Sequence, residues 1–222
     1  GAEAVWSGYQ KFGLGEPVYS GFPGEASPTL RNYSEWGQIA TATASYGYGL
    51  SLNALHLVRA YTALANNGLM PQLRLTMNAA AVPPRRVISD RVAGQVRYLM
   101  EGVVTEGGTA LRAAIPGFRV AGKTGTIRKI AESGGGYADN RHQSVFIGMM
   151  PAEHPRLVGL VMIDEPGAGD YYGGLVAGPV FSSVLQGAAR LLQIPPDQQM
   201  TVPTVPVAPM GQAQRTPAEP RA

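Results

Sequence analysis

Apolar residues take up helical spacing from the start of the chain. Ala2, Val5, Trp6, Tyr9 and Phe12 predict a helix over 2–12, stopped by Gly13 and Gly15, so the sequence opens at or inside a helix. Residues 16–37 are rich in Gly, Pro and Ser and read as a loop, with a short helix over 35–43. Tyr46-Gly47-Tyr48-Gly49 reads as a turn whose glycines need unusual backbone angles. From Leu52 to Asn66 an amphipathic helix follows, with Leu52, Leu55, Val58, Arg59 and Tyr61 to Leu64 round one face. Ser51 is its expected N-cap and Asn67-Gly68 its C-cap. Residues 69–87 are irregular, with a strand expected near 73–77. Ser89 then caps a helix carrying Val92, Val96, Leu99, Met100 and Val103 on one stripe, closed by Gly107-Gly108.

In the second half the period shortens. Phe118 to Ile127 reads as one strand entered from the Pro116-Gly117 turn, and a polar, Gly-rich loop is expected over 129–142. Gln143 to Met150 and Leu157 to Asp164 read as neighbouring antiparallel strands. A last helix is expected at about 175–193, regular from Pro179, with Val180, Phe181, Val184, Leu185, Ala188, Leu191 and Leu192 inward. Helices, then three antiparallel strands, then a helix define an α/β layered fold: an antiparallel sheet flanked by helices. Residues 1–196 form this domain, and 197–222, rich in Pro, Thr and Ala without apolar period, read as a disordered tail.

Composition narrows the chemistry. The 222 residues are 45% hydrophobic, enough for one substantial core. A net charge of +3 with only 15% charged residues offers no long basic patch, so no nucleic-acid partner is expected. With no Cys there is no thiolate metal site, Cys nucleophile or disulfide. His56, His142 and His154 are scattered without metal-ligand spacing, so neither metal nor cofactor is expected.

The chemically richest stretch is Gly122-Lys123-Thr124-Gly125-Thr126, and it can be read in two ways. With the residues before it, Gly117 to Thr124 fits the phosphate-loop pattern G-x-x-x-x-G-K-[ST], and Leu160 to Glu165 imitates a magnesium-holding strand. A phosphate loop must open a helix after its Lys. Here Thr124, Gly125, Thr126 and Ile127 disfavour one, and Phe118 and Val120 favour a strand over an open cradle. On the strand reading Gly125 is the anomaly, either a bulge or tight packing contact, or a strand edge that takes an extended peptide. Lys123 then supplies positive charge, Thr124 and Thr126 supply hydroxyls for a carboxylate, and the Thr126 N–H polarises a carbonyl. Alternation puts Lys123 and Thr124 on opposite faces, so one ligand meets them all only along the strand's edge.

The chain resembles the C-terminal half of the transpeptidase domain of class B penicillin-binding proteins, and most closely their division-septum branch. The resemblance covers roughly residues 1–195. It rests on an ordered series that includes Phe12-Gly13-Leu14-Gly15, Tyr46-Gly47-Tyr48-Gly49, Gly107-Gly108-Thr109, Val120 to Thr126, Phe146-Ile147-Gly148, Asp164-Glu165-Pro166 and Tyr171-Tyr172-Gly173-Gly174. Pro28 and Ile127-Arg128 depart from the usual pattern.

The resemblance implies a penicillin-binding-protein/serine β-lactamase-like fold. It further implies a peptidoglycan D,D-transpeptidase that cross-links stem peptides by serine acyl transfer in septal wall synthesis and binds β-lactams. Such an enzyme works at the periplasmic face of the inner membrane beside division-complex membrane proteins, anchored by a segment outside this sequence. Of the family's three motifs, Ser-x-x-Lys, Ser-x-Asn and Lys-Thr-Gly-Thr, only the third is expected here, as the substrate-binding set Lys123, Thr124, Gly125 and Thr126. Gly8, Val120 and Thr126 stand three residues before the three lysines, so the nucleophile is absent. The chain by itself is therefore expected to be inactive, with the upstream half of the same domain as its partner. Ser51-Leu52-Asn53 matches Ser-x-Asn but reads as a chance tripeptide. The alternatives are a non-catalytic peptide-binding module of the same fold and a P-loop nucleotide hydrolase.

Overall fold

The computed structural model describes residues 1–76, 78, 80–131, 136–167 and 169–198. Its elements follow in chain order: α1 (Ala2–Lys11), β1 (Thr29–Leu30), α2 (Gln38–Ala44), β2 (Leu50–Ser51), α3 (Ala54–Ala65), β3 (Leu69–Met70), β4 (Arg85–Arg86), α4 (Asp90–Glu101), β5 (Ala121–Ile130), β6 (Tyr137–Met150), β7 (Leu157–Asp164) and α5 (Gly173–Leu191). Short 3-10 turns over Gly102–Val104 and Leu111–Ala113 link α4 to β5.

The antiparallel sheet β5-β6-β7 is the centre of the molecule. Against one face Phe146, Phe181, Leu185, Ile115 and Val120 form the main core, with Phe146 and Phe181 meeting edge to face at 4.8 Å. Against the other, Ala121, Met149 and Ala152 pack on Tyr61 and Leu64 of α3 and Met100 of α4. A row of glycines crosses the sheet, Gly122 opposite Gly148 opposite Gly159. A methyl at Gly122 would lie 2.4 Å from Phe146 Cζ, and one at Gly159 2.7 Å from Leu185 Cδ2. The row is the trough in which the large side chains of the core lie. Gly122, the glycine that completes the phosphate-loop pattern, is there for packing.

Two buried arginines tie the helices down. Arg97 of α4 donates to the carbonyls of Leu64, Ala152 and Glu153. Arg59 of α3 donates to the carbonyls of Gly13, Glu16 and Pro17. Hydrogen-bonding to several carbonyls is what makes a buried guanidinium tolerable.

Several sequence expectations are corrected. The cap of α3 is Asn53, whose side chain accepts from the His56 N–H, while Ser51 is paired in β2 with Thr29. The buried face of α3 is His56, Arg59, Ala60 and Ala63, so Arg59 enters the core as a hydrogen-bond hub. Ser89 caps α4 as expected, but the apolar stripe is rotated. Ala93 and Arg97 are buried, while Val92 faces solvent and Leu99 is 73% exposed. No strand forms over 73–76, and residue 77 lies outside the described residues. Instead β3 pairs with β4.

The key strand starts at Ala121, three residues later than expected, because residues 115–118 close a turn with their own bridge. Much of the expected 129–142 loop is ladder, since β5 and β6 continue to the Ile130–Tyr137 pair. Backbone pairing does not depend on side-chain polarity, so polar residues extend a hairpin readily. In α5 the helix runs through Pro179, and Val180, Val184, Leu191 and Leu192 are exposed, while Ala177, Phe181, Leu185 and Ala189 face inward. Asp197 and Gln198 are held on the turn before β5 through the Arg119 N–H and the Gly117 carbonyl. The rest of the expected tail lies outside the described residues.

Candidate active-site edge

Strand order places β5 at the sheet edge, with its outer side free of any strand among the described residues. Lys123, Thr124, Gly125 and Thr126 lie in its first half and pair in unbroken register with Ile147, Phe146, Val145 and Ser144. A strand therefore follows Lys123 where a phosphate loop requires a helix. The magnesium-strand imitation fails as well, because Asp164 and Glu165 are ion-paired to Lys129 at 2.8 and 2.7 Å, and Glu165 also to Arg141. Lys129, and then Arg141, hold the Glu165 carboxyl below its ordinary range. These findings exclude the nucleotide reading.

Gly125 answers the question its presence in a strand raises. There is no bulge at it, and a methyl built there would meet only Val145 Cβ at 3.4 Å, an ordinary contact. Packing within the chain does not require glycine at this position, in contrast to Gly122. Lys123 is exposed, and its Nζ donates to the Thr124 carbonyl at 3.1 Å. The Thr124 and Thr109 hydroxyls stand 3.2 Å apart. The Gly173 N–H donates to Thr126 Oγ1 at 3.2 Å.

On the α3 side of β5 a cavity of about 500 Å³ is lined by Lys123, Gly125, Val145 and Ile147 from the sheet and by Ser51 and Tyr61 across from it. Burial pushes the Tyr61 phenol up to about 12, so this wall stays neutral. Asn53, the third residue of the Ser-x-Asn match, is fully engaged in structure. It caps α3, meets His56 Nδ1 at 2.8 Å and donates to the Ala26 carbonyl.

Sequence reasoning missed what presses on this edge from behind. Gly173 and Gly174 open α5 against β5 and the 109 segment. Methyls there would lie 2.3 Å from the Val145 carbonyl oxygen and 1.9 Å from that of Thr109. Two poor helix formers at a helix start, where caps are expected, were the available signal of a close backbone approach. The approach puts the positive end of a 19-residue helix dipole at the Thr126 hydroxyl. Upstream, His142 stacks on Tyr171 at 4.1 Å and the Ser144 hydroxyl donates to the Tyr171 carbonyl, fixing the approach to Gly173.

A helix-flanked antiparallel sheet with Lys-Thr-Gly-Thr on its outer edge is the architecture of serine acyl-transfer enzymes of the penicillin-binding class. The family described as penicillin binding protein transpeptidase domain matches residues 1–186, and the chain belongs to it. It is 44% identical over 205 residues to the probable peptidoglycan D,D-transpeptidase PenA of Neisseria gonorrhoeae, covering 92% of this chain and 35% of that protein. It is 36% identical over 200 residues to the peptidoglycan D,D-transpeptidase FtsI of Escherichia coli, covering 90% of this chain and 34% of that protein. Among solved structures it superposes with a TM-score of 0.81 and 42% identity on the apo transpeptidase domain of Burkholderia pseudomallei penicillin-binding protein 3, covering 89% of this chain and 60% of that one. The chain thus spans about a third of the length of these curated relatives.

Proposed function

We propose that this chain is the substrate-binding portion of a peptidoglycan D,D-transpeptidase. In the complete enzyme a serine oxygen attacks the penultimate D-Ala carbonyl of a stem peptide. The peptide C–N bond breaks, D-Ala leaves with a proton, and an amine of a neighbouring strand displaces the serine from the resulting ester. β-Lactams bind by the same route and leave the serine acylated. The nucleophile and its base lie in a Ser-x-x-Lys segment outside the sequence given. The enzyme acts at the periplasmic face of the inner membrane, in septal wall synthesis, with division-complex membrane proteins as partners. The septal assignment is supported by the Tyr171-Tyr172-Gly173-Gly174 segment.

In this reading the donor peptide lies along the outer edge of β5 as an added strand. Its terminal carboxylate takes the Thr124 and Thr126 hydroxyls, with Lys123 and the N-terminus of α5 supplying positive potential. The Thr126 N–H forms half of the oxyanion hole. Because the Gly173 N–H already donates to Thr126 Oγ1, the hydroxyl proton is left for the ligand. The single observation that carries the reading is a strand edge, unpaired among the described residues, that bears Lys-Thr-Gly-Thr with a glycine that internal packing does not need.

Labelling with a fluorescent penicillin, read by intact mass, tests it on this chain and on the complete protein. Label on the complete protein alone supports the assignment and the missing serine together. Label on neither points to a peptide-binding module without catalysis. Label on this chain overturns the missing nucleophile, with Ser51 the first position to map.

A further inference from the structure

Just beyond Thr126 the three strands of the sheet stop pairing at one place. Arg128 pairs with His142 and Gln143 with Asp164, and the register then breaks, so that Ile130 meets Tyr137. Glu165 stands at this break and reaches all three strands. Its N–H donates to the His142 carbonyl at 2.9 Å. Its carboxylate takes Lys129 of β5 at 2.7 Å and Arg141 of β6 at 2.8 Å. It directly follows Asp164, the last residue of β7, which takes the same Lys129 at 2.8 Å.

Glu165 keeps this position against its own backbone preference. Its φ of +49° is left-handed, a region that L-residues other than Asn and Asp seldom enter. Pro166 adds a second obstacle, because proline drives the residue before it toward extended angles. Such conformations persist where the surroundings over-determine them, and they gather at functional sites. Ion pairs as exposed as these add little to stability, so stability alone does not account for the arrangement.

We propose that Glu165 is a positioning residue for ligand recognition: by tying the end of β5 to β6 and β7 it sets where the Thr126 hydroxyl stands. The proposal rests on the transpeptidase reading and adds to it a residue that acts on the motif from outside. Among the described residues β5 has a strand on one side only, and ladders open first from their ends. Thr126 lies two residues inside the end that Glu165 holds. A second route reaches the same hydroxyl. The His142 ring stacks on Tyr171 at 4.1 Å, the Ser144 hydroxyl donates to the Tyr171 carbonyl, and the Gly173 N–H donates to Thr126 Oγ1 at 3.2 Å. Glu165 holds the His142 backbone at the start of this route. Displacing a ligand contact by about 1 Å costs up to about 100-fold in rate.

The test compares acylation of the complete enzyme by benzylpenicillin and by its methyl ester, which differ only in the carboxylate. Wild-type enzyme should favour the acid by roughly 10-fold or more. In Glu165→Gln the acid-to-ester ratio of rate constants should fall by roughly 5-fold while the melting temperature holds. Glu165→Asp keeps the charge and should recover part of the ratio. The sign separates positioning from electrostatic field, because removing a negative charge beside the site would by itself raise the preference for an anion. A ratio taken on one preparation does not depend on how much of the variant is folded. A Glu165→Gln ratio at or above the wild-type value overturns the positioning role. Wild-type enzyme that is acylated without preference for the acid removes the carboxylate contact at Thr126, and the positioning role with it. Wild-type enzyme that benzylpenicillin fails to acylate overturns the transpeptidase reading itself.

Discussion

Gly122 and Gly125 stand three residues apart in β5 for opposite reasons, and substitution separates them. Gly122→Ala drives a methyl to within 2.4 Å of Phe146 Cζ in the main core. Overpacking of this kind costs about 1–3 kcal/mol, so thermal unfolding of the complete enzyme should shift down by several degrees. Gly125→Val adds bulk where only Val145 Cβ is near, and the melting temperature should hold. Acylation by benzylpenicillin should nevertheless fall by roughly 100-fold, because the branched side chain stands over the edge proposed to take the ligand. A Gly125→Val enzyme with wild-type acylation would remove the ligand from this edge. The residue scale also explains why Lys-Thr-Gly-Thr was readable at once. Its two hydroxyls, its charge and its missing Cβ are properties of the residues themselves, whereas the support that Gly173 and Thr109 give them depends on the fold.

Elements were legible in kind more than in orientation. β6 and β7 were expected as antiparallel neighbours and are, because alternation and length distinguish a strand without reference to its partners. The stripe on α4 was misjudged because the side chain it buries most usefully is charged. Arg97 satisfies three carbonyls from α3 and the β6–β7 turn, so the helix rotates to bring it inward and leaves Leu99 outside. Arg97→Met should therefore destabilise by about 3 kcal/mol despite its apolar replacement, since buried carbonyls lose charged donors. Urea unfolding of the variant measures this, and an unchanged midpoint would remove the hub role. In α5 apolar residues occur all round, so Val180, Val184, Leu191 and Leu192 were expected inward beside Phe181 and Leu185 and are exposed instead. The sheet's glycine row selects Phe181 and Leu185 and leaves Val184 57% and Leu191 86% exposed.

For the whole molecule, Glu25 and His56 contribute to the acid limb of stability. The Ser20 hydroxyl, with the N–H groups of Ser20, Val18 and Tyr19, holds the Glu25 carboxyl down to about 2. A depressed carboxyl stabilises above its ordinary value of 4.5 and loses that contribution as the pH falls through about 2. Glu25→Gln should flatten the melting temperature between pH 4.5 and 2, and an unaltered profile would dismiss the clasp. Burial lowers the pKa of His56 below its ordinary 6.5, so the unfolded chain takes up the proton first. Its contribution is present above pH 6.5 and fades below, and circular dichroism melts of His56→Gln should lose that step. The exposed apolar residues of α5 make a further prediction. If the upstream part of the domain covers them, this chain alone should bind the dye ANS strongly and the complete enzyme weakly. Equal binding would place that cover elsewhere.

The amino-acid sequence by itself determined the strand character of residues 121–127, the order of the main helices and of β5, β6 and β7, the Lys-Thr-Gly-Thr motif proposed to meet substrate and the absence of Ser-x-x-Lys. These follow from local propensity, from periodicity and from the identity of side chains, all written along the chain. The tertiary structure decided which faces are buried, why one glycine of the motif packs and the other does not, which helix start supports Thr126, and that Arg31 and Arg128 line one cavity. Burial and unpaired charge are relations between distant segments. Each depends on what the opposite wall contributes, and no window of the sequence contains both walls.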